Sequence, residues 1–157
     1  MQDNESLALK LEVRNAALKH LGKKPNLVLD MFAGEGVISK MLWCGISDHV
    51  ICIEKDAKKA SKITNKAQVI IGDNSESINL AENAEIIDCD AYGMVMDLIK
   101  KLPKNKIVVF TDGTPMKAKR IFNAEREFQK NLKLLFSHVF VKKNLSGTAY
   151  YGWGVTK

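Results

Sequence analysis

Asp30, Gly34 and Gly36 fall within a span of seven residues, directly after the apolar run Leu27-Val28-Leu29. That order puts a carboxylate at the tip of a strand and two glycines in the turn behind it. Glycine is called for where the backbone takes a positive φ or where a ligand must come close. The segment from about residue 35 to 45 reads as a helix, so the turn would also present unpaired N–H groups and the positive end of a helix. A pyrophosphate-binding turn carries G-x-G-x-x-G. Here Ser39 stands at the third glycine position, and Asp30 would repel a pyrophosphate brought against the turn. The chemistry expected is recognition of a ligand with a cationic or hydrogen-donating group.

More acids end apolar runs further along. Glu54 closes "VICIE", Asp73 closes "QVIIGD", and Asp88 and Asp90 close "EIIDCD". With "NLVLD" and "KIVVFTD" these runs predict five strands, over 26–30, 50–54, 68–73, 85–90 and 106–112. They are near-continuous in apolar residues, as parallel strands covered on both faces are. The spacing predicts helices between them, over about 35–45, 56–66, 75–83, 93–102 and 116–136. It also predicts an opening helix over about 5–21, with Leu7, Leu11, Leu18 and Leu21 on one side and Gly22 and Pro25 as its stop. "HVFVKK" and "TAYYGWGV", joined by "NLSG", predict an antiparallel hairpin at the end. The expected fold is α/β: a doubly wound, mostly parallel seven-stranded sheet with a C-terminal antiparallel hairpin. Residues 1–157 read as one domain, with an N-terminal helix in 1–24 and the sheet in 25–157. Such a sheet binds ligands at the carboxyl ends of its strands.

"VLDMFAGEG" resembles the first motif of class I S-adenosylmethionine-dependent methyltransferases, hydrophobic-hydrophobic-D-x-F-x-G-x-G. The later acids agree in order, and Glu54 follows Gly36 by eighteen residues. The resemblance runs from residue 26 nearly to the end. It implies a Rossmann-like fold and S-adenosylmethionine as cofactor. It implies cofactor contacts at Asp30, Phe32, Gly34 and Gly36, ribose contact at Glu54 beside Lys55, adenine-side contacts at Gly72, Asp73 and Asn74, and a further contact at Asp88. "DCDAYG" is loosely similar to the D-P-Y-G of enzymes that methylate a guanine amino group in transfer RNA, with Ala91 in place of the proline. It makes Asp90 and Tyr92 the candidate catalytic residues, an acid to orient an amine and a ring to stack on a base.

Charge points to the same class of substrate. The net charge is +6, but residues 97–157 carry 13 basic residues against 4 acidic ones, while residues 1–96 carry 11 against 14. A basic half suits a polyanion. Lys117, Lys119, Arg120, Arg126, Lys142 and Lys143 are the candidate phosphate contacts, with RNA or tRNA expected ahead of DNA. A protein or small-molecule acceptor, a non-catalytic cofactor-binding subunit, and a protein partner for target recognition remain open. Cys44, Cys52 and Cys89 have no metal-site spacing and read as buried, reduced thiols; His20, His49 and His138 are scattered, so no metal is expected. No apolar run approaches the ~20 residues of a membrane span. The amphipathic, acid-bearing opening is unlike a signal peptide, so a cytoplasmic protein is expected.

Overall fold

The computed structural model describes residues 4–91, 93–118 and 120–157; Tyr92 and Lys119 lie outside the described residues. Chain order begins with α1 (Asn4–Leu21), β1 (Leu27–Asp30), a π-helical segment (Ser39–Trp43) running into α2 (Cys44–Ile46), β2 (His49–Glu54), α3 (Ala57–Ala60) and β3 (Gln68–Ile71). A 3-10 helix (Asn74–Glu82), β4 (Ile86–Asp90), α4 (Met96–Ile99) and β5 (Ile107–Asp112) follow. α5 (Thr114–Lys117), α6 (Ala124–Leu135), β6 (Phe136–Lys143) and β7 (Tyr150–Thr156) complete the chain.

The strands form one seven-stranded sheet in the order β3-β2-β1-β4-β5-β7-β6. β1 to β5 are parallel, and β7 runs antiparallel to both β5 and β6. This is the architecture expected from the sequence. The chain leaves β1 toward one edge through β2 and β3, then returns to β4 on the other side of β1. The carboxyl ends of β1 and β4 therefore flank the switch point, where such sheets open a crevice.

Both faces of the sheet are covered, which is why the central strands carry so few polar residues. On one face Val28, Val50, Ile86, Val109 and Trp153 meet Val13 and Ala17 of α1 together with Ile38 and Trp43. On the other, Leu29, Ile53, Ile87, Val108 and Phe110 meet Val95, Met96 and Ile99 around α4, and Phe128 and Leu132 of α6. Two glycines of β7 make room for this second layer. A Cβ at Gly152 would stand 2.6 Å from the Phe110 ring, and one at Gly154 the same distance from the Phe136 ring.

Local structure departs from expectation in several places, and the helices expected over 56–66 and 93–102 are regular only over Ala57–Ala60 and Met96–Ile99. The segment 116–136 is not one helix: α5 ends at Lys117, and α6 begins at Ala124 after Asn123, which takes a left-handed φ of 62°. Ile121 and Phe122 consequently stay exposed instead of joining the apolar side of a single helix. The segment 75–83 winds as 3-10 helix, and the first helix after the glycine turn contains the π segment. In α1 the buried stripe is Lys10, Val13, Arg14 and Ala17, with Leu7, Leu18 and Leu21 flanking it. Among the described residues no helix is long and apolar enough to cross a membrane, and no group of His, Cys, Asp and Glu could hold a metal ion.

Candidate functional site

Asp30 ends β1 almost wholly buried, at 3% exposure. Its Oδ2 accepts a 2.6 Å hydrogen bond from Ser39 Oγ, and its Oδ1 a 3.3 Å bond from the Phe32 N–H. Burial first, and then the neighbouring Asp88 charge, raise its pKa to about 7. The position of the missing third glycine is thus filled by the hydroxyl that holds this carboxylate.

The glycine turn is built against Glu54. Gly34 and Gly36 have φ of 55° and 75°, both costly for a residue with a Cβ. The Gly34 N–H donates to Glu54 Oε2 at 2.8 Å, and the Asp56 N–H donates to Oε1 at 2.9 Å. Gly36 also passes close to the segment after α3, where a Cβ would come within 3.1 Å of the Ile63 side chain. Glu54 thereby links the tip of β2 to the turn after β1, across the neighbouring carboxyl ends of two strands.

At the tip of β3 the Gly72 N–H bonds the Glu54 carbonyl oxygen. Asp73 caps the 3-10 helix, accepting from the Ser75 N–H at 2.8 Å and the Ser75 hydroxyl at 2.5 Å. The hydroxyl bond first, and then the backbone bond, hold its pKa below the usual range. Asn74 turns its Nδ2 to the Met31 carbonyl oxygen at 3.5 Å, joining this tip to the β1 turn. Lys55 is exposed beside them.

β4 carries the centre of charge. Asp88 pairs with Asp30 in the β1–β4 register and is fully buried. Arg14 Nε and Nη2 grip its two oxygens at 2.7 Å each, and Trp43 Nε1 adds a third bond of 2.7 Å to Oδ2. Burial pushes the Asp88 carboxyl up, against the charge and hydrogen bonds of Arg14. Burial works to lower the Arg14 pKa as well, but Asp88 and then Asp90 prevail and raise it. Asp88 lines neither neighbouring cavity, so its place is beneath the site rather than in it. The π segment has a visible purpose here, since it sets Trp43 over this pair.

Asp90, two residues on, meets Lys10 Nζ at 2.8 Å and Arg14 Nη2 at 3.4 Å, both through Oδ2. It stands between two cavities. One, of about 230 Å³, is bounded by Lys10, Arg14, Asp30, Phe32, Gly34 and Asp90. The other, of about 390 Å³, is bounded by Asp90, Ala91, Thr111, Lys117, Asn144 and Tyr151, among others. The structure thus gathers Asp30, Phe32, Gly34 and Asp90 around one crevice, with Gly36 and Glu54 shaping its wall. Gly72, Asp73 and Asn74 stand further along the strand tips. The sequence reading missed Lys10 and Arg14, which sit four apart on α1 and reach Asp90 and Asp88. Two cations in the middle of an otherwise buried stripe were the available signal.

Comparison with solved structures decides the architecture. Fibrillarin, a pre-rRNA processing protein of Methanococcus jannaschii, superposes with a TM-score of 0.69 at 17% identity, over 85% of this chain and 67% of its own. The TYW2 protein of P. horikoshii, solved in complex with MeSAdo, matches with a TM-score of 0.59 at 18% identity over 100% of this chain and 65% of its own. An rRNA methylase from Streptococcus thermophilus matches with a TM-score of 0.59 at 13% identity, covering 94% of this chain and 97% of its own. This chain has the class I methyltransferase fold. It spans about two thirds of the length of the first two of these proteins. No protein-family model matches the sequence, and no curated protein matches it.

Within that fold the remaining candidates have clear settings. Cys52 and Cys89 are buried free thiols, and burial, then Asp30, pushes Cys52 up to about 12. Tyr151 and Trp153 are buried, and Tyr150 stacks on Phe128 at 4.4 Å, so these rings belong to the packing of the last strand. Lys117, Arg120, Arg126, Lys142 and Lys143 are exposed. Lys142 pairs with Glu12, and Lys143 with Glu125.

Proposed function

We propose that this protein is an S-adenosylmethionine-dependent methyltransferase that modifies a nucleic-acid base, RNA ahead of DNA. The observation that carries the reading is Asp30. The buried cluster holds three carboxylates, Asp30, Asp88 and Asp90, against the two cations Lys10 and Arg14. Both cations are engaged by the β4 acids. Asp30 faces the smaller cavity, and among the described residues its hydrogen bonds come from neutral groups. A cationic ligand would balance it, and the sulfonium and ammonium of S-adenosylmethionine suit such a carboxylate. Glu54 at the tip of β2 suits the ribose hydroxyls, and Gly72, Asp73 and Asn74 lie where the adenine would reach.

S-adenosylmethionine held by Asp30 and Glu54 would supply an electrophilic methyl to the acceptor amine, with its sulfur keeping the electron pair of the S–C bond. The chain's own residues do the positioning, from which most of the rate of an in-line transfer comes. Asp90 stands at the junction of the two cavities. Lys10 and Arg14 hold its Oδ2, and Oδ1 is the oxygen proposed to accept from the acceptor amine and to help carry off its proton. Tyr92 is the residue proposed to stack on the base. The RNA preference draws support from the basic C-terminal half, from Lys117 on the wall of the larger cavity, and from the RNA-directed names of the structural neighbours.

Incubation with methyl-labelled S-adenosylmethionine and separate pools of tRNA, rRNA, DNA and protein tests this. Label is expected in an RNA pool, and Asp90→Asn is expected to lower transfer by about 10²-fold or more with cofactor affinity nearly kept. Label confined to protein would overturn the substrate reading. RNA affinity should also fall as salt rises, and replacing Lys117, Arg120 and Arg126 by Glu should flatten the log–log slope by about two or more, since each phosphate contact contributes ~0.7–0.9. A wild-type affinity indifferent to salt removes the phosphate contacts.

A further inference from the structure

The larger cavity is lined by a residue whose polar group has no partner among the described residues. Asp90 of β4 stands opposite Thr111 of β5, and Thr111 stands opposite Tyr151 of β7. The three residues form one row across adjacent strands, and all three line the cavity. Two members of the row have partners. Asp90 has Lys10 and Arg14, and the Tyr151 hydroxyl bonds Ser6 Oγ at 3.2 Å. The Thr111 hydroxyl, on a residue 7% exposed, has no hydrogen-bond partner among the described residues.

Two segments beside it are held by hydrogen bonds of their own. The next residue, Asp112, spends both oxygens on the Val95 and Thr114 N–H groups at 2.8 Å, which fixes the tip of β5. Across the cavity, Asn144 Oδ1 accepts from the Thr148 and Ala149 N–H groups, and its Nδ2 donates to Ser146 and Thr148, which fixes the opposite loop. A buried hydroxyl without a partner is uncommon and calls for an explanation. A threonine hydroxyl offers one donor and two acceptor sites, and the residue that carries this one lines the cavity.

We propose that Thr111 reads the acceptor: its hydroxyl bonds the ring nitrogen or carbonyl next to the amino group that meets Asp90. The inference rests on the function proposed above and names the acceptor more closely. Neighbouring strands are ~4.8 Å apart, so Asp90 and Thr111 present an oxygen pair to one planar edge. A nucleobase edge carries an exocyclic amine beside a ring nitrogen or carbonyl, which matches that pair. The volume of about 390 Å³ lies near the lower end of ligand cavities, enough for one nucleoside and too small for a folded segment. Thr111 is a specificity residue here, and Asp90 remains the group at the reacting atom.

The test compares wild type with Thr111→Val, Thr111→Ser and Thr114→Val. Thr114 also has an unpartnered hydroxyl but does not line the cavity, so it serves as the control. Thr111→Val is expected to lower kcat/KM for the labelled RNA pool by 10–100-fold, mostly through KM, with S-adenosylmethionine affinity unchanged. Thr111→Ser should recover most of the loss, and Thr114→Val should behave as wild type. Binding of free adenosine and guanosine, measured by NMR, gives a readout independent of turnover, and the tighter of the two should weaken in Thr111→Val alone. The melting temperature of Thr111→Val should hold or rise. Unchanged RNA kinetics or nucleoside binding in Thr111→Val would overturn the inference, as would a lowered melting temperature, which would reveal an internal partner. A wild type that methylates no RNA defeats the broader function instead, and nucleoside binding then decides Thr111 by itself.

Discussion

Asp30→Asn is expected to make the protein more stable at pH 8 and to lower its affinity for S-adenosylmethionine by about 100-fold or more. Both effects come from one carboxylate. The Asp30 pKa stands near 7 in the folded chain against an ordinary 3.8, because burial and Asp88 oppose its charge. Between those values the folded state holds a proton that the unfolded state has released. Stability therefore falls as pH rises through this window, and the deficit is complete above about pH 7. A shift of this size corresponds to on the order of 4 kcal/mol. Asparagine keeps an oxygen for Ser39 and the Phe32 N–H and carries no charge, so it removes the deficit. It also removes the counter-charge for a cationic ligand. For the wild type, affinity should weaken below pH 7, approaching tenfold per unit, with a proton released on binding. Thermal melts at pH 5 and pH 8, and calorimetry in buffers of different ionisation enthalpy, check both parts. An Asn variant that melts lower at pH 8 would contradict the charge assignment.

Arg14→Met should be the most damaging single change in the fold. Arg14 is completely buried and grips both oxygens of Asp88. Its loss leaves Asp88 with Trp43 alone and removes one of the two cations at Asp90. Breaking a buried pair from one side costs roughly 3–5 kcal/mol, a large share of the roughly 5–15 kcal/mol that holds a domain together. The loss should show as a lower urea midpoint and should be worst at high pH, where the stranded carboxylate is ionised. Adding Asp88→Asn should recover at least half of it. If the double variant is no better than the single one, packing of the long side chain, not charge, is what Arg14 provides.

These charges also mark the limit of what the sequence alone conveyed. The glycine turn and the acids at the strand tips were legible because each is local: a few residues of strand followed by a residue type that only a turn requires. The topology was legible because near-continuous apolar runs alternate with helical segments and the last two runs have no room for a helix between them. Lys10 and Arg14 were not, since a cation on a helix normally faces water and their partners lie far along the chain; Arg14 and Asp88 are 74 positions apart. The break at Asn123 was hidden for a different reason, because Ile121 and Phe122 keep helical spacing although they stay exposed. Gly152 and Gly154 looked like weaknesses in a strand. Their value appears only when the Phe110 and Phe136 rings occupy the space beside them.

α1 touches elements from both ends of the chain's history. Ser6 meets Tyr151 across 145 positions, and Glu12 meets Lys142 across 130. A ribosome releases α1 well before the strand that completes its seat. Until then the contacts of α1 with β6 and β7 cannot form. Long-range closure of this kind slows folding, and it should make the final docking of α1 the step at which the acids are enclosed and the nascent protein becomes competent.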